Sequence, residues 1–474
     1  MHVREYVDLD GLGVADLVRR GEVTPQEVLE AALAVAQQRD IEVAAYAQLH
    51  AERARRAVAA GLPDGPFTGV PFALKDLWTG WRGTVTGNGS RLFADDIAFA
   101  DDEVVRRYAA AGFVLLAKTK SAELGVSPTT EPAAGGPVAN PWDLRRSAGG
   151  SSGGAAAAVA AGLLPLAHAS DGGGSIRIPA SRCGLFGLKP SRGRVSSAPR
   201  GDGWAGLSGQ HVVSRTVRDS AAALDVASGP VPGDPHWTPP PAGTFLDAVA
   251  VPPPRLRIGF WTTTLNGAAV DEQVLAAARR TAERLTSLGH DVVEVTCPVR
   301  PEQVAAVQGG VIPSSVAAAV DARLAQLGRE LREDDLEPVT AAFVEWGRST
   351  PARGYIEGVQ AMHAMARSTA LLFETVDVVL TPTCADLAPA LGVLDGSDLD
   401  RFLAHVGPSG GFAALANATG QPAMSLPLDV ASDGTPIGSQ LLGRFGDEAT
   451  LLRLAGQLEQ AHPWSRLAPA LVAP

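Results

Sequence analysis

Between Ser147 and Ser175 the chain reads SAGGSSGGAAAAVAAGLLPLAHASDGGGS, and few folds accommodate that string. Its ends are two glycine-bracketed serine turns, GGSSGG around Ser151 and Ser152 and DGGGS ending at Ser175. An alanine-rich run suited to a helix and a short apolar run suited to a strand lie between them. In an α/β unit, such a connection returns the chain to the side of the sheet it left, so both serine turns can meet at one site.

The rest of the chain alternates helix and strand patterns. Thr24, Pro25 and Glu27 form a helix start, with a hydroxyl cap, proline at the first helical position and a carboxylate three residues after the cap. DDEVVRRYAAAG reads as a helix, FVLLAKT and RLRIGFW as strands, DEQVLAAARRTAERLTSLG as a helix closed by Gly289, and DVVEVT as another strand. This alternation predicts an α/β fold, with a central mixed, mostly parallel sheet covered by helices. Prolines cluster from Pro230 to Pro254, as in a surface excursion. From Pro301 to Gly358 the pattern is helical and carries no chemical motif; it either covers a substrate site or decorates the core.

Composition excludes several functions. Lys and Arg number 40 against 51 Asp and Glu, and the net charge of -11 has the wrong sign for a nucleic-acid partner. Cys183, Cys297 and Cys384 are an odd number, far apart and without CxxC spacing, so neither a disulfide frame nor a zinc site is expected. The opening MHVREYVDLDGLG is charged where a secretory signal needs an apolar core. The longest apolar run, Ala155 to Ala167, falls short of the ~20 residues that cross a bilayer. These features predict a cytoplasmic protein with no membrane span.

The serine turns admit several chemistries. GGSSGG satisfies GxSxG twice, at Ser151 and Ser152, as in a hydrolase nucleophile elbow. That reading needs a late histidine; His405 and His462 are late, but neither has a distinctive context, and no HGGG is present. In DGGGS, successive backbone N–H groups can face one concavity and stabilise an oxyanion. A plain glycine-rich turn with a solvated serine fits as well, whereas a phosphate cradle lacks its GxxxxGK[ST] motif. A nucleophilic serine also needs a base. Lys75 sits in the apolar run GVPFALKDLWTG, and to serve near pH 7 its pKa must fall by about three units, about 4 kcal/mol of differential solvation. Otherwise it snorkels or pairs with Asp76.

Taken together, GVPFALKD, GGSSGG, SDGGGSIRIPAS and CGLFGLKPSRGRV, in that order, closely resemble the amidase signature family of Ser-Ser-Lys hydrolases. The resemblance is strongest from Gly69 to Val195 and resumes at DVVLTPT, NATGQPAMSLPL and GTPIGSQLLG. It implies Ser175 as nucleophile, Ser151, after a cis peptide, as the bridging serine, and Lys75 as base. The N–H groups of Gly172, Gly173, Gly174 and Ser175 would form the oxyanion hole. Asp171 and Arg177 would order the nucleophile loop, Ser152 would support Ser151, and His168, Cys183 and Lys189 would be packing residues. The implied reaction is hydrolysis of a small, largely uncharged amide through an acyl-enzyme, with no metal or organic cofactor.

The resemblance further implies one amidase domain over 1–474, with a helical region 1–64, a catalytic core 65–228, a proline-rich excursion 229–255, a substrate-covering region 301–410 and a return to the core over 411–474. Two departures from the family pattern stand out. Gly172 replaces a side chain such as Thr, which would loosen the oxyanion loop or widen the pocket. Pro132 replaces Asn in TTEPAAGG, as in the branch that includes nylon-oligomer cyclic-dimer hydrolases. Related amidases also take anilides, esters or carbamates, including urethanes, and homodimers are common among them. The competing expectation is the glutaminase subunit of a tRNA-dependent amidotransferase; a non-catalytic binding module is disfavoured because Lys75, Ser151 and Ser175 are all present.

Overall fold

The helix expected behind Thr24 forms over Pro25–Val43 for the reason legible in the sequence: the Glu27 N–H donates to Thr24 Oγ1 at 3.2 Å, and the Thr24 N–H to Glu27 Oε2 at 2.8 Å. The computed structural model describes residues 1–468. Helices at Glu103–Ala110 and Glu272–Ser287 and strands at Val114–Thr119, Arg257–Phe260 and Asp291–Glu294 likewise fall where the sequence pattern puts them.

The molecule is built on an eight-stranded mixed sheet flanked by helices. Its strands run in the order Asp291–Glu294, Arg257–Phe260, Val378–Pro382, Pro436–Leu442, Ala423–Val430, Phe186–Lys189, Gly209–Ser214 and Leu166–Asp171. The first two neighbour pairings are parallel and the remaining five are antiparallel. The sheet is therefore mixed as expected, but the expected parallel majority is wrong. Within this sheet parallel pairing is confined to Arg257–Phe260 and its two neighbours, where Glu272–Ser287 provides a crossover. Ala423–Val430 and Pro436–Leu442 are instead joined by a short turn, which permits only antiparallel pairing.

A second sheet of three strands, Tyr46–Leu49, Val114–Thr119 and Pro71–Lys75, abuts the edge strand Leu166–Asp171 of the first. Lys75 N–H donates to His168 Nδ1 across that seam at 3.2 Å. The alanine-rich helix, Gly153–Ala160, is buried on every side. Its small residues are required by contact: a Cβ on Gly154 would lie 2.5 Å from the carbonyl oxygen of Ala45 and 2.5 Å from the amide nitrogen of Lys120.

Helices Pro338–Ser349 and Ala352–Leu372 each pack on Pro301–Leu327, whose Ser315, Val316, Ala318 and Ala319 line the cavity of the candidate active site. Pro301–Leu327 is long and apolar enough to cross a membrane by length and composition. Here Val304, Val311, Val316 and Val320 are buried against the rest of the fold.

Candidate active site

Lys75 ends the strand Pro71–Lys75, whose five residues are all buried. Successive strand side chains point to opposite faces, so Lys75 and Asp76 part company. Asp76 pairs with Lys118 on the neighbouring strand at 3.0 Å, which removes the ion pair considered for Lys75. Lys75 Nζ instead donates to Ser151 Oγ at 2.8 Å and to Ser170 Oγ at 3.0 Å. Burial pushes its pKa from the ordinary lysine value down to about 7, with the charge of Asp171 pulling the other way.

The GGSSGG turn brings Ser151 to Lys75 by close backbone approach. A Cβ on Gly150 would fall 2.4 Å from the carbonyl oxygen of Thr129, and the Gly150–Ser151 peptide is cis. Ser152 works one residue further back than expected. Its hydroxyl donates to the Ser170 carbonyl at 3.0 Å and so steadies the residue that, with Ser151, holds Lys75 Nζ. On the strand Leu166–Asp171, His168 and Ser170 share a face by the two-residue repeat, and both touch Lys75. Burial and the nearby Lys75 press the His168 pKa down to about 3, so the ring is a neutral acceptor for the Lys75 backbone N–H.

Asp171 and Arg177 organise the DGGGS loop. Arg177 Nη2 lies 2.9 Å from Asp171 Oδ1, and both side chains are fully buried. Burial alone would raise the Asp171 pKa; the Arg177 charge and hydrogen bonds from Arg177 and Asn417 outweigh it and hold the carboxyl below the usual range. The carboxylate also accepts from the Gly174 N–H at 2.7 Å and the Ile176 N–H at 3.1 Å.

That arrangement corrects one expectation. The Gly174 N–H is committed to Asp171 and is not free for an oxyanion, which leaves the N–H groups of Gly172, Gly173 and Ser175 as candidates. Gly174 is glycine for its backbone instead: its φ is 131°, and a Cβ would strike Ala413 Cβ and Ile178 Cδ1 at 2.7 Å.

Ser151, Ser170, Gly172 and Ser175 line one cavity of about 410 Å³. Trp78, Leu124, Trp204 and Val316 line it too, and Arg200 and Asp202 are its charged lining residues. Among the described residues no histidine lines this cavity, so the nucleophile-elbow alternative lacks its base. His405 Nδ1 contacts the Arg401 carbonyl at the exposed end of the helix Leu399–His405, and His462 lies in a separate groove with Trp142 and Trp464. Of the three expected packing residues, His168 touches Lys75, whereas Cys183 and Lys189 do not line the cavity. Cys183 Sγ donates to the Ala148 carbonyl, and Lys189 Nζ to the Pro190 carbonyl at 2.7 Å.

Three residues escaped the sequence reading. Ser170 was adjacent to Asp171 in the string, and strand alternation from His168 would have found it. Asn417, in NATGQPAMSLPL, donates from Nδ2 to the Asp171 carbonyl and Asp171 Oδ1, each at 2.9 Å, a contact across 246 residues of chain. Trp204 lies in a glycine-rich loop with no local signal.

The architecture is that of a known group of hydrolases. A solved 6-aminohexanoate cyclic dimer hydrolase superposes with a TM-score of 0.92 at 37% identity, covering 98% of this chain and 99% of that one. A bacterial aryl acylamidase of the amidase signature enzymes gives 0.89 at 26% identity, covering 98% and 99%. The chain belongs to the amidase signature family: the model for the family Amidase matches residues 26–452. Among sequence relatives, the 6-aminohexanoate-cyclic-dimer hydrolase of Paenarthrobacter ureafaciens is 39% identical over 99% of this chain and 98% of its own.

Proposed function

We propose that the protein hydrolyses the C–N bond of a small, largely uncharged amide, with Ser175 as nucleophile, Ser151 as proton bridge and Lys75 as base. The observation that carries this reading is the 2.8 Å contact of a buried Lys75 with Ser151, on a cavity that Ser175 also lines. With its pKa near 7, Lys75 is substantially neutral at neutral pH. Its lone pair then takes the Ser151 proton as Ser151 takes that of Ser175, and Ser175 Oγ attacks the carbonyl carbon.

The free N–H groups of Gly172, Gly173 and Ser175 would receive the oxyanion. The proton returns along the same relay to the departing amine, and water attacks the acyl-enzyme by the reverse route. Anilides, esters and carbamates present the same carbonyl to the same atoms, so the reading extends to them. We place the enzyme in the cytoplasm, acting on a small molecule without nucleic acid, membrane or cofactor; a homodimer is compatible with this reading.

The test is turnover by the purified chain alone across acetanilide-type amides, lactam-derived oligomers, carbamates and glutamine. Hydrolysis of uncharged amides without any partner protein is expected. Turnover of glutamine only, and only after a partner is added, would replace this reading with that of an amidotransferase subunit.

A further inference from the structure

We propose that Trp204 is a specificity-determining residue of the reaction cavity, its indole selecting substrates that place a flat, uncharged aromatic ring beside the scissile carbonyl. This rests on the reaction assigned above and names its substrate class.

The starting observation is at Gly172, the first residue of the oxyanion loop. Its backbone does not require glycine, because its φ lies outside the left-handed range. Its neighbour crowds the position: a Cβ at Gly172 would sit 3.0 Å from both Cε3 and Cζ3 of Trp204, so the indole would have to give by a few tenths of an ångström. The missing side chain does not widen the pocket, as the sequence suggested. The indole occupies that space.

Trp204 is held there at a conformational cost. Trp204 and Ala205 both adopt left-handed backbone, with φ of 56° and 53°, which bulky residues rarely do. Of the six non-glycine residues with positive φ among the described residues, four line this cavity: Trp78, Leu124, Trp204 and Ala205. Such clustering marks functional sites, where surrounding contacts hold the backbone in place.

The hold on Trp204 is visible. The Gly206 N–H donates to the Asp202 carbonyl at 2.7 Å and the Leu207 N–H to the Trp204 carbonyl at 3.1 Å. Asn417 Nδ2 donates to the carbonyls of both Asp171 and Leu207, at 2.9 and 3.0 Å. One amide therefore ties the start of the oxyanion loop to the turn that carries the indole, and fixes the ring relative to the reacting carbonyl. A partly buried indole in that position offers a flat partner to a flat ring, whereas a saturated ring of similar volume meets it only at its edges.

Two substrate pairs test this: acetanilide against N-cyclohexylacetamide, and benzamide against cyclohexanecarboxamide. The quantity read is the aryl-to-cyclohexyl ratio of kcat/KM, in which the intrinsic reactivity of each pair cancels between variants. In Trp204→Ala, and in Trp204→Leu as the better-packed alternative, the ratio for at least one pair should fall fivefold or more, while Trp204→Phe stays within twofold. Gly172→Ala, whose Cβ presses on the indole, should lower the same ratio, and added to Trp204→Ala it should change it no further.

Ratios within twofold of the native value for both pairs, in both ring-free variants, would overturn the proposal. A ring-free ethyl fluorophosphonate separates the two levels of inference. If it fails to label Ser175 in the native protein, the reaction itself is misassigned; if it labels Ser175 and the ratios stay put, only the role of Trp204 falls.

Discussion

Lys75→Met should make this protein more stable as it removes its activity. Lys75 carries its proton in the unfolded chain up to about pH 10. In the folded state it gives the proton up near pH 7. Between those values the unfolded chain binds more protons, so this one group makes native stability rise with pH, and its burial is most costly below pH 7. The difference in pKa corresponds to about 4 kcal/mol of penalty at pH 7 and about 2 kcal/mol at pH 9.

Methionine fills nearly the same volume without the proton. It leaves the hydroxyls of Ser151 and Ser170 short of a donor, at about 1 to 3 kcal/mol in total. The variant should therefore gain about 2 kcal/mol at pH 7, an advantage that shrinks by about 2 kcal/mol by pH 9. Urea denaturation of both proteins at the two pH values measures this directly. Lys189, whose pKa burial also lowers to about 7, titrates in both proteins and cancels. The packing and hydrogen-bond contributions do not vary with pH, so the slope isolates the proton. A stability difference that stays constant from pH 7 to 9 would show that Lys75 is not depressed, and would remove the base from the proposed relay.

The same pKa predicts that kcat/KM rises with pH through about 7 as Lys75 becomes neutral, which a pH–rate profile on an uncharged amide would show; a flat profile below 7 contradicts it. Ser175→Ala should abolish labelling by a fluorophosphonate, while Ser151→Ala slows it sharply; persistent labelling of Ser175→Ala, located by peptide mapping, would move the nucleophile elsewhere. Arg177→Met strands the fully buried Asp171 carboxylate and should cost about 3 to 5 kcal/mol in denaturant unfolding, with part of the loss recovered by adding Asp171→Asn. Gly154→Ala forces a Cβ to within 2.5 Å of backbone and should cost about 1 to 3 kcal/mol or more, whereas Gly173→Ala meets nothing within 4 Å and should leave stability nearly unchanged.

Much of the local structure could be read before any coordinates. The capped helix after Thr24, the alanine helix between the serine turns and the strand Val114–Thr119 all depend on neighbours within a few residues, and local pattern reports such interactions well. The direction of strand pairing could not be read this way. It depends on which distant strands meet, and Phe186–Lys189 pairs with Ala423–Val430 across about half the chain. The DGGGS loop shows the same division. Three glycines in a row announced free N–H groups, but only the folded loop reveals that Asp171 has already taken the one on Gly174.

The order of residues by itself determined the chemistry available: two serines in glycine turns, a lysine in an apolar run, and no cysteine or histidine arrangement to compete with them. Tertiary structure decided what that chemistry could become. Burial lowers the pKa of Lys75, the strand face adds Ser170 to it, Asn417 ties the DGGGS loop to a turn far away in sequence, and Trp204 fills the space above Gly172. Each of these is a contact between segments separated by tens to hundreds of residues. Desolvation and packing are properties of the enclosed volume, and the residues enclosing it are neighbours only after the chain has folded.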